Sequence, residues 1–111
     1  MSTAPPFHSL DELWEELWVS MASLLRSYTA VHGLSDGRQA DIEQNEERIV
    51  ARHGDKCLTL ERKGATVKWI RNDGSSGELQ LTVTGSLENG QGAEEMDLTA
   101  EAWARELMNE R

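Results

Sequence analysis

The pattern of hydrophobic positions in the first third of the chain predicts one long amphipathic helix. Apolar residues recur there at intervals of three or four, at Leu10, Trp14, Leu17, Met21, Leu24, Tyr28 and Val31. Leu13, Trp18 and Leu25 widen the stripe to about 140° of the helix surface, which is typical of a helix buried along one face. We therefore expect this helix to cover another layer, with Trp14 near the centre of its buried face and Trp18 at the edge.

The predicted ends of this helix carry the usual sequence signals. Ser9 is an N-cap residue, and Glu12 three positions later completes a capping box. The helix is expected to run to about His32, where Gly33 supplies a stop. Residues 1–8 contain both prolines of the chain and are expected to form a flexible tail, which leaves 9–111 as a single domain.

Four later segments alternate apolar and polar residues and predict β-strands. They are residues 47–52, 56–62, 65–71 and 78–84. Turn-forming sequences such as Lys63-Gly64 separate them, and connections this short favour an antiparallel meander. One face of this sheet is apolar and the other is rich in threonine, which is typical of a sheet covered on one side.

The remaining segments are more polar. Residues 35–46 indicate a loop, a short turn of helix or an early edge strand that begins at Ile42. Residues 88–95 are rich in Gly and Glu and indicate a flexible loop. A last helix is predicted from Ala100 to about Asn109, with Thr99 as its cap and a hydrophobic staple between Leu98 and Trp103.

Together these elements predict a two-layer α+β sandwich of order α-β-β-β-β-α. Both helices are expected to pack on one face of a four-stranded antiparallel meander sheet. The expected core consists of Leu13, Trp14, Leu17, Met21, Leu24, Leu25, Tyr28, Leu58, Leu60, Val67, Trp69, Leu79, Leu81, Val83, Trp103 and Leu107.

Composition and charge narrow the classes of function. The chain has 111 residues, enough for one domain, and its single cysteine excludes an internal disulfide. The net charge of −9 argues against nucleic acid as a partner, because such binding depends on neutralising phosphates. The charge is uneven, since residues 48–86 carry seven basic and four acidic side chains and both flanking segments are acidic. No apolar run reaches membrane-spanning length and no secretory signal is present, so we expect a cytoplasmic protein without a membrane partner.

The residues able to carry chemistry form no recognisable motif. His8, His32 and His53 lack metal-ligand spacing, and Cys57 has no histidine close to it in sequence. The acidic residues of the first helix match no calcium loop. We therefore predict no catalytic residues, no cofactor and no bound metal.

The uncovered face of the sheet is the predicted binding surface, with Lys68, Ile70 and Thr82 as its candidate residues. Ile70 has no evident reason to be apolar on a face that no helix covers. Trp18 is a fourth candidate, because tryptophan is enriched at interaction hot spots, although it can also serve as a lid over the core. The expected partner is another protein or a second copy of the chain, and the alternative is a face that is only solvated. The whole predicted face presents Cys57, Thr59, Thr66, Lys68, Ile70, Gln80, Thr82 and Thr84.

A long acidic helix, an antiparallel sheet and a closing helix resemble the general layout of frataxin-like proteins, and also that of several small bacterial immunity and chaperone proteins. The resemblance covers the layout and no motif, and the tryptophan pattern of frataxin strands is not found, so iron binding does not follow from it. The expected function is a small acidic, non-enzymatic protein-binding module of the immunity, chaperone or adaptor type. The alternative is a small ligand- or metal-binding protein that uses the acidic N-terminal helix.

Overall fold

A computed structural model of the protein describes residues 10–34, 37 and 39–109. The predicted tail at 1–8 and the Ser9 cap lie outside these residues. The elements in chain order are α1 (Leu10–Gly33), β1 (Asp41–Gln44), β2 (Arg48–His53), β3 (Lys56–Lys63), β4 (Thr66–Arg71), β5 (Ser76–Leu81), β6 (Ser86–Glu88), β7 (Ala93–Glu95) and α2 (Met96–Met108).

The strands form one antiparallel sheet in which neighbours along the chain are neighbours in space, in the order β1-β2-β3-β4-β5-β6-β7. The α+β class and the antiparallel meander are therefore confirmed, but the expected four strands are wrong, because the sheet has seven within residues 10–34, 37 and 39–109. Of the three additional strands, β1 corresponds to the early edge strand that was one alternative for residues 35–46. β1, β6 and β7 are three or four residues long and hold too few apolar residues to show alternation. Each adds to the sheet because its neighbour offers unpaired backbone groups.

The boundaries of β5 also differ from the prediction. The strand runs from Ser76 to Leu81, and the chain then turns through Gly85, which has a φ of 84°. Val83 lies in this turn and is 63% exposed, so its expected place in the core is wrong. Residues 88–95, predicted as a loop, supply the end of β6 and all of β7.

The predicted alternation of faces is confirmed for β3, β4 and β5 as far as Leu81. On the helix side, Leu60 lies between Ile49 of β2 and Trp69 of β4, and Val67 pairs with Leu79 of β5. Ile49, Leu60 and Val67 are fully buried. This side of the sheet packs against both helices and forms one hydrophobic core with them.

The buried face of α1 is rotated from the predicted stripe. Trp18, Met21, Ala22, Leu25 and Thr29 are buried, whereas Trp14, Leu17, Leu24 and Tyr28 are only partly buried, and Leu10 and Val31 are each 60% exposed. The rotation has a physical reason. Ala22, Thr29 and Gly33 are small, so they contribute nothing to a hydrophobic pattern, yet they allow close approach of neighbouring elements.

The second helix begins earlier than predicted, at Met96 rather than Ala100. Thr99 is therefore not a cap but a buried residue of the first turn, whose hydroxyl donates to Glu94 Oε1 at 2.7 Å. Leu98 is 55% exposed, so the expected staple with Trp103 is wrong.

The two helices lie side by side and run in the same direction. Tyr28 of α1 donates its hydroxyl proton to Asp97 of α2 at 2.5 Å, and His32 one turn later contacts Glu101 at 2.7 Å. Because both partners advance by four residues, the helices are parallel and in register. Neither α1 nor α2 is long and apolar enough to span a membrane.

Candidate functional site

The structure brings two of the four predicted binding residues together. Lys68 and Ile70 both lie in β4 and point to the open face of the sheet, where neither helix packs. Thr82 lies just past the end of β5, and Trp18 lies on the opposite side of the sheet. The candidate site is therefore the open face itself, around Ile70 and Lys68.

Trp18 is a core residue and not a rim residue, which corrects its predicted position. It is 1% exposed, and its indole Nε1–H donates to the backbone carbonyl of Asn45 at 2.9 Å. The guanidinium of Arg62 lies 5.9 Å from the centre of its ring. Trp18 thus fixes the turn between β1 and β2 to α1, and its side chain is covered by the protein.

Thr82 is engaged by its own turn. Its hydroxyl lies 2.7 Å from that of Ser86 and 2.9 Å from that of Thr84, and it also accepts the backbone N–H of Ser86 at 3.2 Å. These contacts close the connection between β5 and β6. Thr82 marks the end of the open face and stabilises its border.

The centre of the open face is a short apolar row. Val50, Thr59 and Ile70 are successive cross-strand partners on β2, β3 and β4, and each is partly buried by its neighbours. Cys57, the single cysteine, lies on the same face two residues before Thr59. This row is the least polar part of a face that otherwise carries charged side chains and neutral polar ones such as Thr66 and Gln80.

Beside the apolar row runs a ladder of alternating charge. Arg48 pairs with Glu61, Glu61 with Lys68, and Lys68 with Glu78, so the signs alternate across β2, β3, β4 and β5. Arg48 and Glu61 form an ion pair of 2.9 Å. Within the described residues Lys68 and Glu78 make no ion pair or hydrogen bond, so both charges face solvent. We call these four residues the charge ladder.

The open face carries balanced charge over β1 to β5, although the protein is strongly acidic. It has four basic and four acidic side chains there, namely Arg48, Arg52, Lys63 and Lys68 against Asp41, Glu43, Glu61 and Glu78. Glu88 of β6 and Glu95 of β7 add two negative charges at the far edge of the same face. The part of the face on β1 to β5 therefore repels another acidic surface less than the net charge of −9 would suggest.

A groove lies on the other side of the sheet, away from the open face. A cavity of about 430 Å³ lies between α2 and the outer strands, with Trp69, Leu79 and Trp103 among its walls. The Arg71 guanidinium stacks on Trp69 at 4.5 Å and pairs with both carboxylate oxygens of Glu106 on α2. The groove is thus closed at one end by a link between sheet and helix.

The histidines and the cysteine that the structure describes have structural partners. His53 Nδ1 lies 3.2 Å from the carbonyl of Leu107, His32 contacts Glu101, and the Cys57 thiol lies 3.9 Å from the Thr59 hydroxyl. Hydrogen bonds from the Ser75 side chain and backbone lower the pKa of Asp73, in the turn before β5. Among the described residues no group of three or more His, Cys, Asp or Glu could hold a metal ion. The predicted absence of bound metal stays a prediction, which elemental analysis of the purified protein can check.

No family model matches the chain, and neither a curated protein nor a solved structure matches it. Function is therefore inferred from the geometry of the open face.

Most of the charge ladder was missed from sequence, although part of the signal was present. The two-residue turns at Gly54-Asp55 and Gly64-Ala65 fix the register of β2 to β3 and of β3 to β4. Counting back from these turns places Arg48 opposite Glu61 and Glu61 opposite Lys68. Glu78 could not be placed in this way, because the longer connection between β4 and β5 fixes no register.

Proposed function

We propose that this protein is a non-enzymatic protein-binding module that uses the open face of its sheet. The observation that carries the proposal is the apolar row of Val50, Thr59 and Ile70 in the middle of a charged, uncovered sheet. Protein interfaces combine an apolar centre with a polar rim in this manner. A solvated sheet face has no need for a β-branched aliphatic pair at its centre.

The rigidity of the face also supports this role. Its strands are held in continuous register from β1 to β5, and their other side is fixed to a closed core. A surface of this kind changes little when it binds, so it loses little conformational entropy. The bound protein would contact β2, β3 and β4, where the apolar row and the charge ladder lie next to each other.

Affinity capture with matched variants tests the proposal. Ile70→Glu places a charge in the apolar row, and Val19→Glu makes the same kind of change on an exposed position of α1, where Val19 is 50% exposed. We expect the wild type and Val19→Glu to retain the same protein from a cell lysate and Ile70→Glu to lose it. Circular dichroism should show that all three are folded, because both side chains point away from the core.

Thiol labelling provides a second measurement that does not depend on mutation. Cys57 is the single cysteine and lies on the open face. Its rate of modification should fall when the retained protein is added. The proposal fails if capture is the same for all three forms and Cys57 reacts at an unchanged rate.

A further inference from the structure

We infer that the occupant of the open face is a second copy of this chain, arranged about a two-fold axis that runs along the strands between β3 and β4. The inference rests on the proposed function and names its partner. It is drawn from the order of charges in the ladder formed by Arg48, Glu61, Lys68 and Glu78.

A row of four alternating charges can pair with a second copy of itself that runs in the opposite direction, because each positive charge then faces a negative one. A two-fold axis between β3 and β4 turns the row end to end, so that Arg48 faces the partner's Glu78 and Glu61 faces the partner's Lys68. Every charge of the ladder then meets the opposite charge, and each contact occurs twice, as in any isologous interface. Lys68 and Glu78, which make no polar contact within the described residues, gain partners in this arrangement.

The same axis also joins the apolar rows. Thr59 of β3 faces the partner's Ile70, and Val50 of β2 faces the partner's Ser76. The strands of the two copies remain aligned, which is the common way in which two sheets stack. A two-fold axis could instead run across the strands, along the apolar row. That axis would place Arg48 near the partner's Arg52, and the two positive charges would repel each other. The charges therefore favour the axis that runs along the strands.

The size of the face sets the expected strength. The axis places β2 to β5 of one copy over β5 to β2 of the other. Four strands about 4.8 Å apart and about six residues long, at about 3.4 Å per residue, give a contact face of about 19 by 20 Å. This contact buries about 400 Å² per partner, below the size of a standard interface, so the dimer should be weak and reversible. The balanced charge of β1 to β5 allows this contact although each copy carries −9 overall.

Sedimentation velocity over a range from low micromolar to near-millimolar concentration tests the inference. We expect the wild type to form a reversible dimer with a Kd in the micromolar range. Glu78→Arg should raise that Kd by at least about tenfold, because it places two arginines opposite each other at both ends of the ladder. Arg48→Glu should also raise the Kd, because it places two glutamates opposite each other at both ends of the ladder. The double variant with both changes should restore association, because position 48 and the partner's position 78 again carry opposite charges.

Glu16→Arg on α1 is the matched control, since Glu16 is exposed and the net charge changes by the same amount. General repulsion alone predicts that both Glu78→Arg and Glu16→Arg favour association, so opposite effects of the two changes support the ladder. The inference is overturned if both strengthen association or if the double variant is not rescued.

Failure of this inference can be distinguished from failure of the proposed function. A wild type that stays monomeric while another protein is captured in a manner sensitive to Ile70→Glu refutes the self-association and retains the binding face. A dimer that neither Ile70→Glu nor the ladder variants weaken places the interface elsewhere and contradicts this inference. Such a dimer also contradicts the proposed function if Ile70→Glu captures the same proteins from a lysate as the wild type does.

Discussion

The backbone of Gly77 lies directly against the indole ring of Trp69, its cross-strand partner on β4. A Cβ atom at position 77 would lie 2.6 Å from Trp69 Cζ2 and 2.7 Å from Cε2. The Arg71 guanidinium also stacks on this ring, so the indole is held in place. The glycine is required here for close approach, and not for an unusual backbone angle.

Gly77→Ala should therefore destabilise the protein by about 1–3 kcal/mol, as expected for overpacking in a constrained contact. Urea denaturation measures the loss. Gly92→Ala is the control, because a Cβ there meets nothing within 4 Å. In a Trp69→Leu background the added methyl group should cost much less. An equal cost in both backgrounds would mean that the indole is not the obstacle.

The rotation of α1 predicts an unequal cost for its two tryptophans. Trp18→Ala should destabilise by about 3–5 kcal/mol, because it opens a large cavity in the core and removes the hydrogen bond to Asn45. Trp14→Ala should cost clearly less, since Trp14 only packs against the outside of that core. Chemical denaturation of both variants decides the matter. If Trp14→Ala lowers the free energy of unfolding more than Trp18→Ala does, then α1 buries the face expected from its hydrophobic pattern.

Sequence reasoning was successful where each residue's position follows from its immediate neighbours. In β3 to β5 the period of two places Leu58, Leu60, Val67 and Leu81 inward, and all four are buried. The hairpin turn at Lys63-Gly64 was likewise predicted, and Gly64 has a φ of 60°. These features depend on local periodicity and turn chemistry alone.

Prediction from sequence failed where tertiary contacts override the local hydrophobic pattern. A helix that packs with Ala22, Thr29 and Gly33 shows no hydrophobic signal at those positions, so the predicted face of α1 was displaced. The strands β1, β6 and β7 exist only because a neighbouring strand supplies hydrogen-bond partners. The positions of Lys68 and Ile70 on the open face follow from local alternation, whereas the burial of Trp18 depends on tertiary contacts of α1 and could not be read from its neighbours.

The link between Arg71 and Glu106 should contribute measurably to the docking of α2 on the sheet. Arg71 uses Nε and Nη2 on the two carboxylate oxygens, at 2.5 and 3.0 Å, while its guanidinium plane stacks on Trp69. Because both side chains are partly exposed, we expect a coupling of only about 0.5–1 kcal/mol in a double-mutant cycle of Arg71→Met and Glu106→Gln. Arg71→Lys should lose most of it, since lysine cannot form the paired contact.

The matched comparison is the pair of Arg105 and Glu101, which lie 3.6 Å apart on the surface of α2. Its coupling should be smaller, because it lacks the planar paired geometry and joins residues of one helix. Equal coupling in the two cycles would show that the link between sheet and helix adds nothing beyond an exposed ion pair.

Tyr28 should titrate above its ordinary range, and it can be observed directly because it is the only tyrosine. Its hydrogen bond to Asp97 is the main cause of the raised pKa, with smaller contributions from burial and from the negative charges of Asp97 and Glu101. The folded state then holds the phenolic proton more tightly than the unfolded state. The stabilisation is complete below the unfolded pKa of about 10 and is lost as the pH rises through the higher folded value.

Ultraviolet absorbance of the tyrosinate, followed during an alkaline titration, measures this pKa. Asp97→Asn should move it down toward the ordinary tyrosine value of 10.0, because the acceptor loses its charge. The stability of the variant should then fall less between pH 10 and the raised pKa of the wild type. Glu101→Gln should have a smaller effect on Tyr28, since its charge is the weakest of the causes. If Asp97→Asn leaves the midpoint unchanged, the contact between Tyr28 and Asp97 does not persist in solution, and the parallel register of the two helices would rest on His32 and Glu101 alone.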